Sequence, residues 1–275
     1  MQYWEKEKQI VEKTPYPITK NSLKKDFQKI GLKSGDIVLV HSSMSKIGWI
    51  VGEAVTVIQA LMELLTKNGT LVMPTMSSGN TDPTNWNYPA VPKEWHSIIR
   101  KEMPPYDPIL SKTRGMGRIP EQFRIFPDVF RSDHPQASFA AWGKHAKEII
   151  NDHHVEQTFG KGSPIEKVYQ LNGKILLLGV HHSSNSSLHY AEYRAKIPNF
   201  PIEQQGAAKY ENGERIWKAW EEIKYDADDF KEIGLAFEKS INYKTMKIGL
   251  AESRLISSKK LIDFAINWLQ ENRKY

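Results

Sequence analysis

Short apolar runs alternate with segments of helical periodicity along most of the chain. Apolar runs at 37–40, 70–73 and 175–178 are each closed by a polar, proline or glycine residue. Runs of this length with such boundaries are typical of strands that are covered on both faces. Apolar residues recur at helical spacing in four other segments, which are 22–30, 54–65, 228–239 and 258–270. The pattern therefore predicts an α/β protein.

The order of elements over residues 37–73 is strand, glycine-bearing loop, helix and strand. Such a unit normally has parallel strands and a right-handed connection. Two further helices are predicted at 117–126 and 144–150. No repeat, low-complexity tract or flexible linker divides the sequence. We therefore expect a single domain over residues 1–275.

An Asn212-Gly213 pair inside the segment 209–216 is typical of the two-residue turn of a β-hairpin, so it predicts an antiparallel ribbon. The segment 77–113 is too long for a plain connection, and loops of that length in compact proteins are usually functional or disordered. Its large aromatic residues favour an ordered, packed loop, and they are Trp86, Tyr88, Trp95 and Tyr106.

The composition is that of a globular protein, with 40% hydrophobic and 25% charged residues among 275. Cysteine is absent, which excludes disulfides, thiolate metal ligands and cysteine nucleophiles. No apolar run approaches the ~18 residues of a membrane span. Residues 1–13 are charged and lack the apolar centre of a signal peptide. We therefore expect a cytoplasmic protein without a membrane partner.

The net charge of +6 is spread along the chain, with carboxylates between the lysines. No basic stripe with interleaved aromatic residues emerges, so we do not expect nucleic-acid binding. The excess positive charge is instead predicted to be solvated surface, part of it available to the phosphates of an anionic cofactor.

The most informative chemistry lies between residues 174 and 193. A predicted strand leads into a loop rich in His, Ser and Asn, and a helix follows, capped by Asn185, Ser186 or Ser187. Ligands of α/β sheets bind beyond the carboxyl ends of strands. His189 and Glu192 are three residues apart and share one face of that helix. The helix dipole favours the neutral imidazole that a general base needs. A solvated His–Glu pair on a surface helix is the alternative.

Two other loops could bind an anion. The segment 41–48 places hydroxyls, free backbone amides and Lys46 between a strand and a helix, and such amides bind phosphate. It matches neither the dinucleotide fingerprint nor a Walker A loop. The segment 111–118 combines three cations and two hydroxyls with glycines that allow close approach. For both segments an ordinary surface loop remains the alternative.

Other chemistries are disfavoured. The pairs His153-His154 and His181-His182 lack the spacing and the partner carboxylates of a zinc motif, so no metal site is predicted. No Gly-x-Ser-x-Gly motif is present, which argues against a serine hydrolase.

Several segments together resemble the aminoglycoside 3-N-acetyltransferase family, and its bacillary members in particular. They are VLVHSSMSKIGWIVGEAVTVIQALMELLTKNGTLVMPT, TRGMGRIPEQFR, FRSDHPQASFAAWGKHA, GKGSPIEKVYQLNGKILLLGV, SSLHYAEYR and SRLISSKKLIDFAINW. The resemblance implies a three-layer α/β/α sandwich around a mainly parallel, mixed sheet with an appended antiparallel hairpin, unlike the common N-acetyltransferase fold. It also implies acetyl-CoA as donor and, as acceptor, the 3-amino group of a 2-deoxystreptamine aminoglycoside, hence antibiotic resistance.

The resemblance also assigns roles to residues of this chain. His189 is expected to be the catalytic base with Glu192 as its carboxylate partner, and Thr75 is expected beside the acetyl thioester. The residues expected to bind the pantetheine and pyrophosphate of CoA are Ser42, Ser43, Lys46, Gly48, Val51 and Gly52. Those expected to close over the cofactor are Ser111, Thr113, Arg114 and Met116.

The acceptor side is less defined. A polycationic acceptor needs local carboxylates, and from Asp82, Glu94, Glu221, Glu222, Asp226 and Asp228 we select Asp82 and Asp226. Four positions depart from the family pattern, namely Glu53 in place of a second glycine, His181 and His182 in place of less basic residues, and Ser253 in place of a cysteine. Two alternatives stay open, which are a CoA-binding module without transfer activity and an acetyltransferase for a different small-molecule amine. A homodimer is compatible with the sequence.

Overall fold

The computed structural model describes residues 3–87 and 89–275, apart from the side chain of residue 3. Tyr88, one of the loop aromatics named above, lies outside the described residues. The helices are α1 Tyr3–Lys13, α2 Lys20–Lys29, α3 Met44–Ile47, α4 Glu53–Leu65, α5 His96–Glu102, α6 Arg118–Phe123, α7 Ala146–Ile150, α8 Pro164–Gln170, α9 Leu188–Ala195, α10 Phe230–Ser240 and α11 Ser258–Asn272. The strands are β1 Ile37–Ser42, β2 Thr70–Pro74, β3 Phe130–Arg131, β4 Phe139–Gly143, β5 Lys174–Leu178, β6 Ile202–Glu211, β7 Glu214–Ile223, β8 Met246–Ile248 and β9 Ala251–Ser257.

Seven strands form one mixed sheet in the order β3-β4-β2-β1-β5-β9-β8. The centre is parallel, because Leu39 of β1 lies opposite Val72 of β2 and Ile175 of β5. The remaining four pairings are antiparallel. The mixed sheet is confirmed, with its parallel part confined to the three strands that the apolar runs predicted.

Both faces of the sheet are covered, which explains the continuous apolar runs. Val38 and Val40 of β1 pack in one core with residues of α2, α4 and α6. Leu39 points to the other face, into a core with residues of α7 to α11. Because successive strand residues alternate between faces, one run of apolar residues serves two cores. The predicted three-layer sandwich is confirmed.

The hairpin β6–β7 forms a separate two-stranded sheet and is longer than the turn signal alone indicated. Asn212 and Gly213 both have positive φ, at 52° and 84°, as the tight hairpin turn requires. The long loop packs against this hairpin. The Asn80 amide donates to the Ala208 carbonyl at 2.9 Å, and the Ala208 N–H donates back to the Asn80 side chain at 3.1 Å. The Tyr106 N–H also donates to the Ala208 carbonyl.

No helix within the described ranges is both long and apolar enough to cross a membrane.

Candidate active site

His189 and Glu192 lie in the first two turns of α9 and contact each other directly. His189 Nδ1 donates to Glu192 Oε2 at 2.5 Å. The second oxygen, Oε1, accepts the Asp226 N–H at 2.9 Å and a hydrogen bond from the Arg273 guanidinium. Glu192 is only 2% exposed. The alternative of a solvated His–Glu pair therefore does not describe this site, because both carboxylate oxygens are held by partners.

Three aromatic rings enclose the imidazole of His189. Phe159 stacks on it with ring centres 4.6 Å apart and planes 15° apart. Tyr225 and Phe230 approach at 5.1 and 4.7 Å with inclined rings. Because Glu192 engages Nδ1, the second ring nitrogen, Nε2, is the one that can exchange a proton with a substrate.

His189 lines a cavity of about 340 Å³ at the carboxyl ends of the three parallel strands. His41 and Ser42 contribute from the end of β1, Pro74 from the end of β2, and Asn185 from the loop after β5. The sequence predicted this location from the strand–loop–helix order. The loop is fixed locally, since Asn185 Oδ1 accepts the Ser187 N–H at 3.2 Å. The Ser187 side chain, by contrast, makes no cap bond to α9.

The other two histidines nearby are weaker candidates for a base. Burial, with a smaller contribution from nearby His189, lowers the pKa of His41 to about 3. His41 therefore stays neutral and binds a proton poorly near neutral pH. His182 Nε2 donates to Glu238 at 2.9 Å, and its ring packs against Gly234, where an added Cβ would lie 1.9 Å from the ring. Both contacts tie His182 to α10.

A second cavity of about 450 Å³ adjoins the first, and both are lined by Ser42, Gly115 and Met116. Ser43 and Gly48 also line it, so the two loops singled out in the sequence do converge. Gly115 has φ 75°, and a Cβ there would meet nothing within 4 Å, which leaves the backbone open to a ligand. This arrangement fits an extended anionic cofactor.

The sequence missed two features of this second cavity. Part of its wall is formed by α1, through Lys6, Glu7 and Ile10. The sequence indicated this contribution only through the helical pattern of residues 3–13. Glu53 also lines it, and Arg118 donates to its carboxylate at 2.6 Å. Glu53 has φ 51°, so this position, where the family resemblance predicts a glycine, has a left-handed backbone in this chain.

Several predicted cofactor residues lie beside these cavities and do not line them. Lys46 lies in α3, and Val51 and Gly52 lie in the turn before α4, next to residues that line the second cavity. The Ser111 hydroxyl accepts the Asp107 N–H at 3.0 Å, and the Thr113 N–H donates to Glu121 at 2.8 Å. These contacts shape the loop. Arg114 lines a third cavity of about 720 Å³ together with Glu203, Lys224 and Tyr225.

Thr75 is fully buried, and its polar groups are engaged. Its hydroxyl donates to the Ser138 carbonyl at 3.2 Å and accepts from Arg131 Nε at 3.2 Å. Arg131 also donates to the carbonyls of Pro108 and Ser111. Arg131 thus links the long loop to Thr75 at the end of β2, while Pro74 lines the cavity of His189.

The two predicted acceptor carboxylates have different environments. Asp82 is buried and receives two hydrogen bonds from Arg100, at 2.8 and 2.9 Å. Burial alone would raise its pKa, but Arg100 and Thr84 lower it, so Asp82 is an ionised carboxylate with a partner. Asp226 is exposed, and its backbone N–H holds Glu192. Only Asp226 lies beside the imidazole site.

No group of three or more His, Cys, Asp or Glu side chains in residues 3–87 and 89–275 is placed to hold a metal ion.

Comparison with known proteins identifies the family to which this chain belongs. A family model described as aminoglycoside 3-N-acetyltransferase matches residues 39–270. The chain belongs to the aminoglycoside 3-N-acetyltransferase family. It is thus a member of a family of acyl-transferring enzymes, and its α/β/α sandwich is the fold of that family.

The family members most similar to this chain include a Bacillus subtilis (strain 168) protein, the SPbeta prophage-derived aminoglycoside N(3')-acetyltransferase-like protein YokD. It is 46% identical over 266 residues, which are 96% of this chain and 97% of that protein. Its crystal structure superposes with a TM-score of 0.93. Aminoglycoside N(3)-acetyltransferase VII of Streptomyces paromomycinus is 31% identical, covering 95% of both chains. The structure of AAC-IIIb as a binary complex with CoASH is 29% identical, with a TM-score of 0.84, covering 94% of this chain and 98% of that one.

Proposed function

We propose that this protein transfers the acetyl group of acetyl-CoA to the 3-amino group of a 2-deoxystreptamine aminoglycoside, with both substrates bound at once. The single observation that carries the proposal is the buried His189–Glu192 pair in a cavity that adjoins a second one. The names of the relatives and the CoASH complex of a similar enzyme support the two substrates.

The donor is assigned to the second cavity. Ser42, Ser43, Gly48 and the backbone around Gly115 would hold the pantetheine and the phosphates through N–H groups and hydroxyls. Ser42 and Met116 line both cavities, so the acyl end of a donor bound there would reach the cavity of His189. Lys46, Val51, Gly52, Ser111, Thr113 and Arg114 would support the shape of these loops.

His189 is the proposed general base. The acceptor amine is mostly protonated near neutral pH and must lose a proton before it can attack. His189 Nε2 would take that proton, while Glu192 and Arg273 hold the ring and stabilise the imidazolium. The amine nitrogen then forms a bond to the thioester carbonyl carbon, the C–S bond breaks, and the departing sulfur takes the proton from the imidazolium. The neutral imidazole then takes the second proton that the amide nitrogen must lose and passes it to water. No covalent bond to the protein is required.

Stabilisation of the carbonyl oxygen needs a hydrogen-bond donor. The resemblance places Thr75 beside the acetyl thioester, but the Thr75 hydroxyl is engaged by Ser138 and Arg131. Ser42 Oγ and Asn185 Nδ2 belong to residues that line the cavity, and neither atom has a partner in the described part of the chain. We assign the donor role to these two groups and a positioning role to Thr75.

The test is release of free CoA when the protein is mixed with acetyl-CoA and a panel of aminoglycosides, with His189→Ala as the control. Release that depends on both the antibiotic and His189 is the expected result. Binding of acetyl-CoA without release would favour a CoA-binding module. Release only with unrelated amines would show an acetyltransferase for a different acceptor.

A further inference from the structure

A buried carboxylate that the proposed reaction does not use lies close to the imidazole site. Glu222 of β7 is 4% exposed. The backbone N–H and the hydroxyl of Thr158 both donate to it, each at 2.6 Å. The Tyr193 hydroxyl and the Trp220 indole N–H also donate to it, the latter at 3.3 Å. One side chain therefore accepts four hydrogen bonds from three segments of the chain.

The electrostatics of Glu222 are unusual for a glutamate. Burial raises its pKa, and the hydrogen bonds from Thr158 and Tyr193 oppose that rise. Within residues 3–87 and 89–275, no ion pair includes Glu222. A buried carboxylate without a counter-charge destabilises the fold unless its donors are well placed. The preceding residue, Glu221, is exposed on the opposite face of the same strand.

Two of the three residues that donate to Glu222 are linked to the surroundings of His189. Thr158 precedes Phe159, whose ring stacks on the imidazole. Tyr193 is four residues after His189 on α9, so the two side chains share one face of the helix. Gly160 packs against the Tyr193 ring, because an added Cβ there would lie 2.6 Å from Tyr193 Cδ1. The Glu222 carboxylate thus joins the stacking segment to the helix that carries the base.

The residues that follow Glu222 on the chain also contact the His189 site. The Tyr225 ring lies 5.1 Å from the rings of both His189 and Phe159. The next residue, Asp226, donates its N–H to Glu192. The segment 222–226 therefore contacts the stacking residue, the imidazole and the carboxylate partner in turn.

We infer that Glu222 is a positioning residue for His189, because its carboxylate fixes the Thr158–Phe159 segment and Tyr193 around the imidazole. This inference rests on the proposed role of His189 as the base. Its basis is geometric, since small displacements of a catalytic group lower the rate strongly. The hairpin that carries Glu222 then helps to orient the base from outside the main sheet.

The experiment compares Glu222→Ala with Glu221→Ala, which removes the same side chain one position earlier on the strand. We expect Glu222→Ala to lower kcat by about 10- to 100-fold, with the KM for acetyl-CoA within about twofold because the donor cavity lies elsewhere. The ring-proton NMR resonance of His189 should also shift as the stacked Phe159 ring moves away. Glu221→Ala should leave both kcat and the resonance unchanged.

Two further variants keep the test decisive if Glu222→Ala does not fold. Tyr193→Phe removes one donor and should shift the same resonance by a smaller amount. Glu222→Gln keeps an oxygen for the Thr158 N–H and should retain more turnover than Glu222→Ala. An unmoved His189 resonance in the folded variants would overturn the inference, as would a loss of kcat matched by an equal loss of acetyl-CoA binding. The resonance needs no turnover, so this outcome is distinct from failure of the proposed reaction.

Discussion

The two adjoining cavities are built in different ways. The His189 cavity rests on buried side chains that hold one another, as in the chain of contacts from Arg273 to Glu192 to the imidazole. The second cavity is lined by loop backbone and glycines, and its Glu53–Arg118 pair is about half exposed. Proton transfer needs one fixed geometry, whereas a long flexible cofactor can be held by many weak contacts. The predicted effects of substitution therefore differ between the two cavities.

The largest effect is expected at the base. His189→Ala should lower kcat by about 10²–10⁴, the usual contribution of a positioned general base. Acetyl-CoA should still raise the melting temperature, because the donor cavity is intact. Near-normal turnover by a folded His189→Ala protein would place the base elsewhere.

Glu192→Gln should reduce kcat less than His189→Ala does. The amide cannot stabilise the imidazolium as the carboxylate does, but the base itself remains. Because residues that act as a unit are not additive, the double variant should be no slower than His189→Ala alone. Steady-state kinetics of the three variants test this, and additive losses would show that the two residues act independently.

Acid should destabilise the folded protein, because two buried histidines are neutral in it. Burial lowers the pKa of His41 to about 3 and that of His153 to about 4, from an ordinary value of 6.5. Below pH 6.5 these two histidines bind protons in the unfolded chain but not yet in the folded one. The free energy of unfolding is therefore highest above pH 6.5 and falls as the pH drops towards the pKa values of the folded protein. Each group contributes about 1.4 kcal/mol per pH unit in that window.

Urea unfolding at pH 7, 6 and 5 measures this slope. His41→Gln removes one of the titrating groups and should make the unfolding free energy less dependent on pH over the same interval. A free energy of unfolding that is constant from pH 7 to 5 would contradict the prediction.

A smaller effect separates the two predicted acceptor carboxylates. Asp226→Asn should raise the KM for aminoglycosides a few-fold at low salt. The difference in KM from the unchanged protein should shrink as salt is added, because at physiological salt the attraction between exposed charges is screened over a distance of ~8–10 Å. Asp82→Asn should instead lower the melting temperature, because Arg100 loses its partner. Acetyl-CoA affinity should change in neither variant. A KM that does not depend on salt would indicate a neutral or apolar acceptor.

The smallest effect is expected at the open cavity. Glu53→Gln removes a carboxylate beside the proposed phosphate site, so the Kd for acetyl-CoA should fall by about two- to fivefold, consistent with an exposed charge contribution below ~1 kcal/mol. Glu63→Gln is the control, because Glu63 pairs with Lys20 and Lys24 and does not line this cavity. Equal effects of the two substitutions would show only a change in net charge.

Local patterns in the sequence predicted much of this site. The apolar runs, the polar loop after 175–178 and the three-residue spacing of His189 and Glu192 were sufficient to locate the pair at the correct edge of the sheet. Local spacing carries no information about partners that are distant in sequence. Arg273, which holds Glu192, is 81 residues away, and the buried acceptor role of Glu222 depends on how the hairpin packs.

The orientation of side chains at strand ends could not be predicted from the sequence either. Thr75 follows β2 directly, but the path of the chain after Pro74 turns its hydroxyl towards Ser138 and Arg131. Asp82 looked like a free carboxylate until the fold placed Arg100 beside it. In both cases the decisive contact is made by a side chain whose position depends on tertiary packing.

In the proposed mechanism, the Arg273 contact makes the residue that follows α11 a support of the base. A protein shortened after Asn272 would keep every strand and all of α11, so its far-ultraviolet spectrum would suggest an intact molecule. Its Glu192 would nevertheless have lost the cation that holds it. Since Arg273 also pairs with Asp229, its removal should lower the melting temperature and, under the proposed mechanism, the turnover as well.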